Sequence, residues 1–248
     1  MTAIPVLRDR RVAITRPEAG ELEARLAALG ATVIHAPLIE VADAADSGGA
    51  LRAALARLGE FDWLVVTSAN GAERVGRAAA EVATVRLAAV GPATATALAE
   101  AAGRPADLVP AVATAEGLLA ELANVAPSKI LLAQADRARP VLADGLAAAG
   151  HRVESVVAYR TVEVTPSPAA LAELRTADAV VLASGSAARA YARAMATGPE
   201  GSVRPIVVCI GPVTAAAARH AGLPVTHVAP HPDPTTLTEL VTTALTSP

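Results

Sequence analysis

Ala89-Val90-Gly91-Pro92-Ala93-Thr94-Ala95 returns later in the chain as Cys209-Ile210-Gly211-Pro212-Val213-Thr214-Ala215. Each copy has matching neighbours. Thr67-Ser68-Ala69-Asn70-Gly71 precedes the first and Ala101-Ala102-Gly103 follows it; Ala183-Ser184-Gly185-Ser186-Ala187 precedes the second and His220-Ala221-Gly222 follows it. Two passages with one internal order and nearly one spacing are two copies of a structural unit, so the chain is expected to fold as two lobes.

Around these passages, short apolar runs alternate with alanine-rich amphipathic segments, the pattern of parallel sheets with crossover helices. The spacing predicts strands over 11–15, 31–35, 63–67, 86–90, 107–109, 129–133, 153–157, 179–183, 205–210 and 225–229, in two sets of five. Helices are expected over 21–29, 71–80, 94–102, 116–123, 141–149, 187–196 and 214–221. Gly30, Gly103, Gly150 and Gly222 each stand where such a segment should stop. If each lobe owns one copy of the repeat, the N-terminal segment must complete the C-terminal lobe. The expected division is a discontinuous α/β lobe of residues 1–36 with 165–248, and an inserted α/β lobe of residues 42–156. Crossings at 37–41 and 157–164 alternate apolar and polar residues and are expected to pair as a two-stranded ladder, a hinge with a cleft between the lobes.

Hydrophobic residues make up 53% of the 248 and charged residues 18%, with a formal net charge of -3. That excludes a disordered chain and gives no basic run to attract nucleic acid or an anionic membrane. The single Cys209 lies in an apolar run and reads as a buried strand residue. The N-terminal segment has no apolar core, and no run approaches a membrane span. A soluble, cytoplasmic protein is expected.

Strand-to-helix junctions hold the candidate chemistry. Thr67-Ser68, Ser184 to Ser186, the two Gly-Pro-x-Thr segments and Thr114-Ala115-Glu116-Gly117 collect hydroxyls and backbone N–H groups at helix starts, where anions bind. In a doubly wound sheet such junctions lie at the carboxyl ends of the strands, the usual ligand edge. Each of them also makes sense as a helix cap and nothing more. Tyr159, one of two tyrosines, falls where the chain returns between lobes. It reads either as a packed hinge aromatic or as a proton donor to a departing oxygen. Tyr191 fits the apolar face of a helix. The five histidines show no metal-ligand spacing, and neither a Gly-rich phosphate loop nor a Gly-x-Ser-x-Gly elbow is present. No metal, nucleotide or other cofactor is expected.

With these residues in place the chain resembles the uroporphyrinogen-III synthase family. The resemblance runs through Thr15-Arg16-Pro17, Pro37-Leu38-Ile39, Asp62 to Asn70, Val90 to Ala95, Thr114 to Leu119, Val157-Ala158-Tyr159-Arg160-Thr161, Ser184 with Ser186, and Ile210 to Ala215. It implies two doubly wound, flavodoxin-like α/β lobes joined by a ladder, and no cofactor. The implied reaction converts the linear tetrapyrrole hydroxymethylbilane to uroporphyrinogen III, inverting ring D with loss of water. Tyr159 matches the family's proposed proton donor. Arg16, Thr67, Ser68, Ala69, Asn70, Gly91, Thr94, Thr114, Ala115, Glu116, Ser184, Gly185, Ser186, Gly211 and Thr214 are the implied substrate contacts. A monomer is implied, and transient hand-over of the substrate from hydroxymethylbilane synthase is the expected partner contact. Two positions depart from the family pattern. Val213 stands where several members carry a hydroxyl, and Gln134-Ala135-Asp136 replaces an Arg-Gly, so Arg137 or Arg139 is expected to take over a carboxylate contact. A two-lobed small-molecule sensor is the rival reading, and a proton donor at Tyr159 is what it would lack.

Overall fold

The computed structural model describes residues 5–196 and 205–247; the start of the N-terminal segment, residues 197–204 and Pro248 lie outside them. The elements run β1 (Arg11–Ile14), α1 (Glu21–Ala28), β2 (Thr32–His35), β3 (Ile39–Ala42), α2 (Gly49–Leu55), β4 (Trp63–Val66), α3 (Ala69–Glu81), β5 (Arg86–Ala89) and α4 (Pro92–Ala102). They continue with α5 (Ala115–Leu122), β6 (Lys129–Ala135), α6 (Val141–Ala148), β7 (Arg152–Glu163), α7 (Pro168–Leu174) and β8 (Ala179–Leu182). The last are α8 (Gly185–Ala196), β9 (Ile206–Cys209), α9 (Pro212–His220), β10 (Val225–Val228) and α10 (Pro234–Thr246). Two compact units result, one from the described residues of Met1–Glu40 and Val162–Pro248, the other from Val41–Thr161.

Each unit is built on a five-stranded sheet. The discontinuous unit has the order β10-β9-β8-β1-β2, all parallel. β4, β8 and most of β1 and β9 are buried, as apolar strands covered by helices on both faces must be. One side of this sheet packs Leu7, Leu22, Leu26, Leu237 and Val241, the other Leu174, Tyr191, Ala215 and Ala218.

The second sheet has the order β3-β7-β6-β4-β5. Here the structure corrects the sequence. The expected strand over 107–109 is a single parallel bridge, Leu108 to Ala88. Pro105 and Pro110 bracket it, and the Asp107 carboxylate takes the Leu87 N–H at 2.7 Å. Too short to form a ladder, it leaves the fifth place to β3, the outgoing crossing, which neighbours β7. β7 is also longer than expected, running unbroken from the sheet into the returning crossing.

Helix starts and stops follow the expected residues. Gly30, Gly103, Gly150 and Gly222 have φ of +93°, +66°, +93° and +81°, the left-handed backbone that ends a helix. Pro92 and Pro212 occupy the first turns of α4 and α9. Three helices, α2, α7 and α10, are additional to those expected.

Cys209 is buried at the end of β9, and burial pushes its thiol up to about 11, against a smaller opposing pull from Arg219. The thiolate is the reactive form. A maleimide or disulfide reagent at mildly alkaline pH is therefore expected to leave the native protein unlabelled and to label one thiol per chain in denaturant. Rapid labelling without denaturant would contradict this burial.

Candidate active site

Parallel register places the expected site residues of the inserted unit along one sheet edge. Val66 pairs with Ala89 and with Ala133, so β4, β5 and β6 come to their carboxyl ends together. Thr67-Ser68 and Gly91 follow directly. At the end of β6 the register slips between Gln134 and Ala135, and Ala135 then pairs with Tyr159. Such an irregularity re-aims the side chains beyond it. Tyr159 thus joins Thr67, Ser68, Ala69 and Asn70 on that edge. Gly91 lies close to the loop before α5, where a Cβ on it would come within 2.7 Å of the Ala113 Cβ. In the discontinuous unit, β1, β8 and β9 end in register, which gathers Arg16, Ser184 to Ser186 and Gly211 on the corresponding edge.

Hydrogen bonding divides these junctions into two kinds. Ser68, Thr114 and Ser184 cap their own helices, accepting from the N–H groups of Gly71 at 3.1 Å, Gly117 at 3.0 Å and Ala187 at 3.1 Å. Gly91 and Gly211 have no side chain to do this. The Ala93, Thr94, Val213 and Thr214 N–H groups therefore keep their hydrogen-bonding capacity in the first turns of α4 and α9, with the helix dipoles behind them. Thr94 and Thr214, both buried, sit at the third position of those helices.

The start of α5 is already occupied. Arg139 Nη1 reaches Glu116 Oε1 at 2.8 Å, and this bond, with the Glu116 N–H and the Thr114 hydroxyl, holds that carboxyl below its usual range. Arg139 is thus committed to Glu116, and Arg137 contacts Asp136 at 3.8 Å. Neither arginine is as free as the sequence suggested. Ser186 likewise accepts from Arg189 at 3.2 Å. Arg16 forms no ion pair among the described residues, and its guanidinium lies 3.6 Å from where a Gly20 Cβ would stand.

Tyr159 is 7% exposed, its ring part of the inserted unit's core with Val66, Ala133 and Val156. Its hydroxyl has no hydrogen-bond partner among the described residues and is not among the sealed polar atoms, unlike that of Tyr191. Burial pushes the Tyr191 phenol up to about 12. Asp136, a departure from the family pattern, has a role the sequence did not show. Its N–H donates to the Tyr159 carbonyl at 3.0 Å and its carboxylate accepts from the Thr161 N–H at 3.4 Å. It ties the tyrosine's strand to the end of β6. Val213 projects from the start of α9, 82% exposed.

A family model described as uroporphyrinogen-III synthase HemD matches residues 20–239. The chain belongs to the uroporphyrinogen-III synthase family. Membership makes it an enzyme of porphyrin biosynthesis, and the match spans both copies of the repeat and Tyr159. Among solved structures, a mutant uroporphyrinogen III synthase from the extremely thermophilic bacterium Thermus thermophilus aligns with TM-score 0.61 and 22% identity, over 96% of this chain and 100% of that one. The uroporphyrinogen-III synthetase of Helicobacter pylori aligns with TM-score 0.63 and 16% identity, over 95% and 99%. Both share the synthase fold. A search of curated protein sequences gave no match. Among the described residues no group of His, Cys, Asp and Glu could hold a metal ion, and no helix is long and apolar enough to cross a membrane.

Proposed function

We propose that this synthase closes hydroxymethylbilane to uroporphyrinogen III by shaping the chain of pyrroles, with one side-chain proton donor, Tyr159. What carries this reading is the pair of glycine-capped helix starts, one in each unit. A substrate with eight carboxylates must be held by a protein of formal charge -3, so the attraction has to be local. First-turn N–H groups at Gly91-Pro92 and Gly211-Pro212 supply it without a basic surface. Thr94, Thr214, Arg16 and the N–H groups after Thr67-Ser68 and Ser184 add to it. The start of α5 contributes least, because Glu116 closes it.

Tyr159 then donates to the hydroxyl leaving ring A. The azafulvene so formed is attacked by the substituted carbon of ring D, giving a spiro intermediate that fragments and recloses with ring D inverted. The free bilane closes spontaneously to isomer I, so imposing a conformation is the larger part of the task. The enzyme works as a cytoplasmic monomer that receives its substrate by transient hand-over from hydroxymethylbilane synthase.

Thr94→Ala and Thr214→Ala test the binding half. Each removes one hydroxyl and spares the backbone donors, so each is expected to weaken binding by about 0.5–1.5 kcal/mol, a rise in KM of about 2–13-fold, with kcat nearly unchanged. Steady-state kinetics on fresh bilane decide it. A loss in kcat with unaltered KM would move these threonines out of substrate binding.

A further inference from the structure

Arg74 stands one turn of α3 beyond Asn70, with its guanidinium carbon 5.5 Å from the centroid of the Tyr159 ring. That is within the range where a cation is attracted to an aromatic face. Its other interactions are few. Nη1 donates to the Asn70 carbonyl at 3.2 Å, and Nη2 comes only within 3.9 Å of Asp43, on a largely exposed carboxylate. Nε is sealed from solvent without a partner among the described residues. The side chain is 23% exposed. A cation so placed, with an idle buried donor, is unfavourable for folding taken alone, because both its charge and its N–H lose water. A neutral side chain would fill the same space at lower cost.

We propose that Arg74 is a positioning residue for Tyr159, holding the phenol ring against α3 and stabilising, as a fixed positive charge, the phenolate left after proton transfer. The inference rests on the reading of Tyr159 as proton donor. In that step the Tyr159 O–H bond breaks and its proton joins the substrate hydroxyl as the carbon–oxygen bond breaks. Water leaves, and the pyrrole nitrogen lone pair, its N–H retained, makes up the azafulvene as a cation that balances the phenolate. The proton released when the last pyrrole regains its aromaticity restores the phenol, so no oxidant or reductant is needed. A charge beside the ring favours the transient anion over the resting phenol. Asn70 connects this pair to the Thr67-Ser68 junction through the same helix turn.

A double-mutant cycle tests this. Arg74→Gln is expected to lower kcat about tenfold and to change KM less than about twofold, while in the Tyr159→Phe background it changes kcat less than about twofold. Arg74→Lys, which keeps the charge, should recover much of the loss. If circular dichroism shows that Arg74→Gln does not fold, Arg74→Lys carries the same cycle with a smaller step. An equal loss in both backgrounds, a loss confined to KM, or full activity of Arg74→Gln overturns the inference alone. Full turnover by Tyr159→Phe overturns the reading beneath it as well.

Discussion

Tyr159→Phe is expected to lower kcat by about 10–100-fold while the protein stays folded and KM stays close to its parent value. General acid catalysis contributes about 10²–10⁴-fold, and an effect at or below the lower limit of that range is expected because water can partly replace the phenol. Folding is spared for a structural reason. The ring is part of the inserted unit's core, and Phe keeps the ring. The hydroxyl has no partner among the described residues, so its loss leaves no buried group unpaired. KM is expected to be spared because the proposed binding mode holds the carboxylates at the helix starts, away from the phenol. Turnover under saturating substrate, with a melting curve for each protein, separates the effects. Full turnover would leave the enzyme acting by conformation alone.

Gly76→Ala is expected to destabilise the inserted unit by about 1–3 kcal/mol, although the same change on an exposed helix would stabilise by about 1 kcal/mol. A Cβ at Gly76 would fall 2.2 Å from the Ala101 Cβ and 2.8 Å from the Ala101 carbonyl carbon. These are atoms of the α4 backbone and its shortest side chain, with no flexible tip to move aside. α3 and α4 must separate, loosening Val75, Ala79 and Leu98 in the core between them. Because these helices begin at Ser68 and Gly91, activity should fall along with stability. Gly211→Ala is the control: its backbone is extended and a Cβ there meets nothing within 4 Å. Denaturant midpoints decide it. A Gly76→Ala midpoint equal to or above the parent's would show that the helices separate freely.

Much of this architecture was legible because the repeat carries its own punctuation. Gly91-Pro92 and Gly211-Pro212 mark a strand end and a helix start, and Gly103 and Gly222 mark helix ends, by backbone rules independent of tertiary context. The residues at 107–109 look like a strand by composition, yet pairing needs length, and the prolines around them deny it. β3 and the end of β7 are neighbours, the pairing that the alternation in the two crossings predicts; what the sequence did not show is that this pair continues the inserted unit's sheet as its edge. α10 was hidden by its threonines, which usually argue against a helix. In the structure Thr238, Thr242 and Thr246 bond back to the carbonyls of Pro234, Thr238 and Thr242, and Asp233 caps the start through the Thr236 N–H.

At the site, residue types were readable and their partners were not. Hydroxyls and glycines at helix starts look alike in sequence; only the structure shows that Ser68, Thr114 and Ser184 are spent on their own helices while Gly91 and Gly211 leave donors open. Arg74 gave no signal, and Asp136 and Arg139 were singled out without their actual partners, because each acts through a contact that depends on register or on a neighbouring helix. An arginine at the i+4 position from Asn70 is an ordinary helix residue until the Tyr159 ring is found beside it.

The most direct test is to give freshly prepared hydroxymethylbilane to the purified chain in the presence of a chelator and without nucleotide or flavin, and to separate isomers I and III. Isomer III should form well above the spontaneous yield of isomer I, at a rate the chelator leaves unchanged. Isomer I alone, or isomer III that disappears with the chelator and returns with a metal, would contradict an enzyme that works by shaping its substrate around a single proton donor.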